Sequence, residues 1–437
     1  MTDELEGAED FETACKALIR KTLTEHQKII FNGNGYSDEW IAEAEKRGLP
    51  NIKCMVDAVP YLAADKSVKI FEGLGVMDKA ELSARAEVML ENYAKKINIE
   101  ALTMIEMSNE EIIKKAAADG KVGNWGLGNE YEILALLQKY DLPTKYLSED
   151  FTMDGFDQDD ITLASAMTFN ELGLVKNDYD GGYKYGDTVG TIDMNDEGVA
   201  MLEDNIFCTK EFAKKNPNTV KAFLYASMKG WAYAVENPEE AAQIVFDAGS
   251  SVSSDHQLYM AKEVAKLVTT DTKGKTVSNY GNMDEDAMQQ TLDLCKKYVQ
   301  LDDSSAVKKL EGFTLDDIRD TQYIDAANKS KDGKFGTLEK TDVTIQLKWL
   351  PQAQFMGYYV AQAKGYYDEV GLKVTITPGG GDISETTAVN NGTVDFGVTW
   401  VANLTSANAG GMDLLEIAQV YQRSGLELVY KKDLFTK

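Results

Sequence analysis

Histidine is almost missing from this chain: 437 residues contain His26 and His256 and no other. An imidazole base is therefore a poor foundation for any catalytic reading. Cysteine is scarce as well. Cys15, Cys54, Cys208 and Cys295 are widely scattered, with no CxxC and no ligand spacing, so they read as free thiols rather than a metal or redox site. No apolar run approaches the roughly 20 residues needed to span a bilayer. Met1 is followed by Thr-Asp-Glu-Leu-Glu-Gly, not by the basic segment and apolar core of an export signal. No GxxxxGK occurs, so phosphate transfer is not indicated. Basic residues are outnumbered, 45 against 72 acidic ones, for a net charge of −27. That balance argues against nucleic acid or an anionic membrane surface as a partner, and serves solubility. Apolar content of 43% and charged content of 27% are ordinary, and the length allows two or three domains with real cores.

What is present centres on residues 342–378. Val343, Ile345 and Leu347 alternate with polar residues as in a half-buried strand, which stops at Trp349-Leu350-Pro351. Phe355, Tyr358, Tyr359 and Ala363 then fall at helical spacing, and Gly365 stands where a C-cap belongs. Residues 372–376 alternate again as a second strand. Two strands joined by a helix are expected to be parallel neighbours in an α/β sheet, with ligands collecting beyond their carboxyl ends. Trp349 and Gln352 lie at that end.

This stretch resembles the opening of the ABC-importer binding proteins for thiamine pyrimidine precursors and riboflavin. Further segments match in family order: Pro378-Gly379-Gly380-Gly381-Asp382 as the glycine turn, residues 392–398 (GTVDFGV) as a strand, and residues 419–425 (QVYQRSG). The family's next motif lies far upstream, as residues 123–131 (GNWGLGNEY), and residues 160–171 (DITLASAMTFNE) resemble a later one. The order is rotated. The resemblance implies an α/β, two-lobe periplasmic-binding-protein fold of type II kind, circularly permuted. Its parts are a second lobe at 108–205, the carboxyl-terminal helical part of the first lobe at 206–327, a linker at 328–341 and the amino-terminal part of the first lobe at 342–437.

The linker assignment has a competitor. Residues 328–339 (NKSKDGKFGTLE) carry oxygen-bearing side chains at the first, third and fifth places, Gly at the sixth and Glu at the twelfth, echoing an EF-hand loop. Asn at the first place, Gly at the ninth and a strand in place of an exit helix favour a linker that joins the family's usual termini. Between residues 216 and 300 the pattern is helical, over 219–235, 238–247, 254–268 and 284–298. Phe223, Tyr225, Trp231 and Tyr233 there lie at core spacing.

Residues 1–107 form a separate, mostly helical module. Asn32-Gly33-Asn34-Gly35 calls for tight turns, and Ser37 before Asp38-Glu39 looks like a helix N-cap. Segments IIFNGNGYSDEWIAEAEKRGLPN, DAVPYLAADK and ARAEVMLENYAKKINIEALTMIEM, within 29–107, are similar to the carboxyl-terminal part of type III glutamine synthetases. That resemblance implies that Asn32, Gly33 and Asn34 border a substrate site in a whole synthetase. The carboxylates and nucleotide site of that enzyme lie elsewhere in it, so this module is expected to be structural rather than a ligase. Ser108-Asn109-Glu110-Glu111 looks like a capping-box start for the next unit.

The residues expected at the site are aromatic and amide-rich: Trp349, Gln352, Gln354, Tyr358, Trp400, Gln422, Arg423, Trp125, Asn129, Glu130, Tyr131, Asn170 and Glu171. Flat rings sandwiching a planar heterocycle, with amides and carboxylates reading its donors and acceptors, make a binding site rather than a reaction site. Glu130 or Glu171 would accept from an amino or ring N–H. Arg423 would either donate to a carbonyl or brace the hinge through a carboxylate. No catalytic residue, metal or cofactor is expected. The function this implies is a solute receptor that closes two lobes on a riboflavin-like or thiamine-pyrimidine ligand and hands it to an ABC transporter permease. It meets the membrane only through the transporter or a lipid anchor. The family is extracytoplasmic, whereas the chain shows no export signal. The alternatives are a glutamine-synthetase-related fragment and an engineered fusion scaffold or sensor without catalysis.

Overall fold

The computed structural model describes residues 5–435 apart from Leu127, Ser251, Ser278 and Asp302. Leu127, inside the GNWGLGNEY motif, thus lies outside the described residues. The chain divides into two compact units, Met1–Ile105 and Glu106–Lys437.

The first unit carries helices Phe11–Glu25, Asp38–Lys46, Met55–Leu62 and Asp65–Gly73, and most of Lys79–Ala118. Ser37 is the N-cap expected of it, its hydroxyl accepting from Trp40 N at 3.3 Å. The segment leading into the Asn-Gly loop is held by Arg47, which donates to the carbonyls of Lys28 (3.1 Å) and Ile30 (2.7 Å). Ser108 corrects one expectation: it opens no new helix, because it sits inside Lys79–Ala118. The residues flanking it, Met104, Glu106, Glu110 and Lys114, are good helix formers, and a local cap signal cannot interrupt such a run. The helix ends at Ala118, closed by Gly120, whose φ of +67° suits glycine, with Lys121 N returning to Ala116 O at 2.9 Å.

The second unit is built on two five-stranded sheets. The strands are β1 (Val122–Asn124), β2 (Leu147–Ser148), β3 (Leu163–Met167), β4 (Val189–Asp193), β5 (Asn205–Thr209), β6 (Asp342–Gln346), β7 (Lys373–Thr377), β8 (Phe396–Thr399), β9 (Leu414–Gln419) and β10 (Leu426–Lys431). One sheet runs β2-β1-β3-β10-β4 and the other β7-β6-β8-β5-β9. The order is the same in both: three parallel strands, then one antiparallel strand wedged before the last. The chain passes from one sheet to the other between β4 and β5, and again between β9 and β10.

β6 and β7 are the parallel neighbours expected, paired from Asp342↔Lys373 to Gln346↔Thr377. Their connection includes the helix Met356–Ala363, buried through residue 361, and Gly365 follows it in the left-handed region at φ +71°. Against it lies the helix Pro217–Glu236. Gly357 is required there, since a Cβ would drive into the Trp231 ring. Phe223 stacks on Phe396 (4.1 Å, 7°) and on Tyr367 (5.7 Å, 5°), so it belongs to the core as its spacing predicts. Trp231 is buried likewise, while Tyr225 and Tyr233 pack half-buried at its edge. In the EF-hand-like segment the twelfth-place carboxylate, Glu339, caps a helix, accepting from Asn218 N (3.1 Å) and Thr219 N (3.0 Å).

Candidate functional site

A cavity of about 320 Å³ opens where the carboxyl ends of β1, β3, β6 and β8 converge. Polar and aromatic side chains placed just after a parallel strand point into such a crevice, because the chain turns there to enter a helix. β6 delivers Lys348, Trp349, Gln352 and Gln354; β8 delivers Trp400 and Asn403; β1 delivers Trp125 and Asn129; β3 delivers Asn170 and Glu171. Trp125, Asn129, Asn170, Glu171, Trp349, Gln352, Gln354 and Trp400 were all readable from sequence, and all line the cavity.

The others are placed elsewhere. Tyr358 is buried in the core, edge-on to Trp231 at 5.6 Å and 84°. Gln422 donates to the carbonyls of Asn282 (3.0 Å) and Gln419 (2.6 Å), fixing a turn rather than facing a ligand. Arg423 pairs with Asp193 at 2.9 Å, the bracing role of the two open to it. Glu130 folds back onto Gly128 N at 2.6 Å, and Tyr131 packs half-buried on the core. Gln422, Arg423, Glu130 and Tyr131 were expected near strand ends and Tyr358 on the helix after β6, and each side chain packs or bonds away from the cavity lining.

The aromatic geometry differs from a parallel sandwich. Trp125 and Trp349 touch edge to face, with centroids 5.7 Å apart and planes at 82°. A planar ring held between two parallel rings needs them about 7 Å apart, twice the carbon contact distance. A third ring shares the contact: Phe151 lies 5.7 Å from Trp349 at 27° and 5.3 Å from Trp125 at 78°. Ring quadrupoles favour edge-to-face and offset-stacked pairings of this kind. Phe151 went unread in the sequence. Its signal is a lone aromatic after the acidic Glu149-Asp150.

A charged network that sequence reasoning also missed adjoins the cavity lining. Asp204 is buried and accepts from Trp400 Nε1 (2.9 Å) and Gln354 Nε2 (2.8 Å). Burial pushes its carboxyl up to about 7, against the opposing pull of Gln354, Lys348 and Trp400. Lys348 lies 3.6 Å from Glu385 and 5.1 Å from the centre of the Trp400 ring. Glu385, buried at the start of the helix Glu385–Asn390, also accepts from Thr399 Oγ1. The lining also holds Glu171, which accepts from Met167 N (2.9 Å) and Asn170 Nδ2 (2.8 Å). Burial raises its pKa above the usual carboxylate range. These groups can orient a small planar polar molecule.

The family model described as "NMT1/THI5 like" matches residues 97–241 and 352–437, just over half of the chain. The chain belongs to the NMT1/THI5-like family. A second model, described as "Glutamine synthetase C-terminal domain", matches residues 14–119. Over that region the chain is 43% identical across 112 residues to a glutamine synthetase of Butyrivibrio fibrisolvens, covering 26% of this chain and 16% of the relative. It is 32% identical across 110 residues to a type-3 glutamine synthetase of Dictyostelium discoideum, covering 25% of this chain and 15% of the relative. The chain thus spans about one-sixth of the length of these curated relatives. No solved structure gives a significant match.

Proposed function

We propose that the chain is a solute receptor whose cavity closes on a planar heterocycle of the riboflavin or thiamine-pyrimidine class for delivery to an ABC transporter permease. The carrying observation is the meeting of Trp125 and Trp349, from strands of different sheets, in the lining of one cavity that Glu171 also lines, with buried Asp204 bonded to the lining residues Trp400 and Gln354. In this reading one lobe is built on β1–β4 with β10 and the other on β5–β9, in a circularly permuted type II-like fold with 328–341 as the join; β10 takes residues 426–431 out of the lobe expected at 342–437. The matched strand order of the two sheets supports it, since each takes its wedged antiparallel strand where the chain crosses over. Residues 1–107 are a structural module, and the receptor works on the extracytoplasmic side. No helix among the described residues is long and apolar enough to cross a membrane.

The mechanism follows from the contacts. Trp349 meets the ligand's face, Trp125 and Phe151 part to admit it, and Glu171 accepts from an amino or ring N–H. Thermal-shift titration with riboflavin, thiamine and hydroxymethylpyrimidine, with tryptophan emission followed in parallel, tests this. A ligand at a hundred times its Kd adds about 2.7 kcal/mol, a shift of a few degrees. Stabilisation and quenching that both vanish in Trp349→Ala support the reading. Stabilisation by glutamine and ATP alone would overturn it in favour of a synthetase-related role for residues 1–107.

A further inference from the structure

We propose that His256, which does not line the cavity, is a positioning residue that sets the hydrogen-bond polarity of Glu171 through Asn170, so that the site selects ligands presenting an N–H donor. The inference rests on the binding role proposed for the cavity.

Four side chains form an unbroken line. Tyr179 Oη lies 2.6 Å from His256 Nδ1, His256 Nε2 lies 2.8 Å from Asn170 Oδ1, and Asn170 Nδ2 lies 2.8 Å from Glu171 Oε1. The protons along it can be assigned from the cavity end. Asn170 turns its amide nitrogen to Glu171 and its oxygen to the ring, the orientation that a Glu171 offering lone pairs calls for. The oxygen needs a donor, so Nε2 carries the imidazole proton. Nδ1 is then bare and accepts from the Tyr179 hydroxyl. Every bond runs toward Glu171, which also takes Met167 N–H and itself lines the cavity.

The opposite polarity is equally consistent in itself. With the proton on Nδ1, Asn170 would turn its nitrogen to the ring and its oxygen to Glu171, which could then only be a protonated acid. The ring therefore decides which way Asn170 points. His256 is suited to this task because burial lowers it to about 4, leaving a neutral ring with a single N–H near neutral pH. Its place is also fixed. Tyr259 lies against it at 6.1 Å and 10°, and anchors its own hydroxyl on Thr168 O at 2.7 Å. Gly173 leaves room for this cage, since a Cβ there would strike the Tyr259 ring and come within 2.9 Å of the Tyr179 hydroxyl.

The first experiment needs no ligand. A proton–nitrogen correlation spectrum of the imidazoles, with only His26 and His256 to assign, is expected to show the His256 proton on Nε2. A proton on Nδ1 overturns the proposal. The second compares hydroxymethylpyrimidine with its dimethylamino analogue in the intact chain and in three variants. His256→Gln keeps a donor at the Nε2 position and is expected to retain the preference for the free amine. His256→Asn and His256→Phe are expected to lose about tenfold or more in affinity for the amine, the size of one hydrogen bond to a charged group. Melting temperatures separate this from misfolding. Equal affinities in all three variants overturn the positioning role. If neither pyrimidine binds the intact protein, the binding reading fails, and the spectrum still decides the polarity of the line.

Discussion

Glu132 and Glu203 meet at a single hydroxyl: Ser424 Oγ lies 3.2 Å from Glu132 Oε2 and 2.8 Å from Glu203 Oε1. Ser424 precedes β10 and Glu203 precedes β5, so the two passages between the sheets are bound together here, and Gly425 N adds a bond to Glu203 at 3.1 Å. One hydroxyl has one proton. If Ser424 donates it to Glu203, the approach of Glu132 is favourable only when Glu132 is itself protonated and donates. Burial raises both carboxyls, Glu132 to about 8.

A pH dependence follows from the held proton. The unfolded chain releases it near the ordinary glutamic value of 4.5, whereas the folded chain keeps it until about 8. The stabilisation is therefore complete below about 4.5, and it is lost as pH rises through about 8 at up to roughly 1.4 kcal/mol per pH unit. Glu132→Gln supplies an amide where the acid group stands, still accepting from Met201 N and donating to Ser424. Urea midpoints are expected to fall between about pH 5 and pH 8 in the wild type and to fall less in the variant. Parallel profiles would show that Glu132 carries no such proton.

Phe151 separates ring contact from fold stability. It is 68% exposed yet stacks on Trp349. Phe151→Ala is expected to change stability by no more than about 1 kcal/mol, the worth of an exposed aromatic pair. Ligand affinity, read by tryptophan quenching, should drop about tenfold because a ring held against both cavity tryptophans is gone. A large fall in the urea midpoint with unchanged affinity would make Phe151 a packing residue.

Phe223 should behave in the opposite way. It is fully buried between Phe396 and Tyr367 on two different elements and is absent from the cavity lining. Phe223→Ala is expected to cost about 3–5 kcal/mol by cavity creation, seen as a lower urea midpoint with the slope unchanged.

Strand and helix positions were legible because the signals were local. Alternation at Val343 and Ile345, the cap at Ser37 and the glycine at 365 each needed only neighbours in sequence. Ser108 misled for the same reason: its capping pattern is local, while the helix that absorbs it is 40 residues long. Strand-end residues such as Trp125 and Trp349 could be found, since a parallel strand aims the residues just beyond its carboxyl end into the crevice. Asp204 and His256 could not. Asp204 holds Trp400 from 196 positions away, and His256 reaches Asn170 across 86. No periodicity records such pairings.

Arg423 offers a direct choice between a ligand contact and a brace. Its guanidinium pairs with Asp193 at 2.9 Å, joining the end of β4 to the segment before β10, and it is absent from the cavity lining. Asp193 also binds Asn195, which in turn donates to Ser424 O at 3.0 Å, so the ion pair stiffens both crossings. The two groups are about one-quarter exposed, and solvent screens part of their attraction. Arg423→Gln is therefore expected to lower stability by about 1 kcal/mol, less at high salt, while the Kd for any heterocycle that binds the wild type stays within about twofold. Calorimetric titration beside a urea melt checks both numbers. A tenfold loss of affinity at unchanged stability would instead bring the guanidinium to the ligand, and with it a closed form in which Arg423 leaves Asp193.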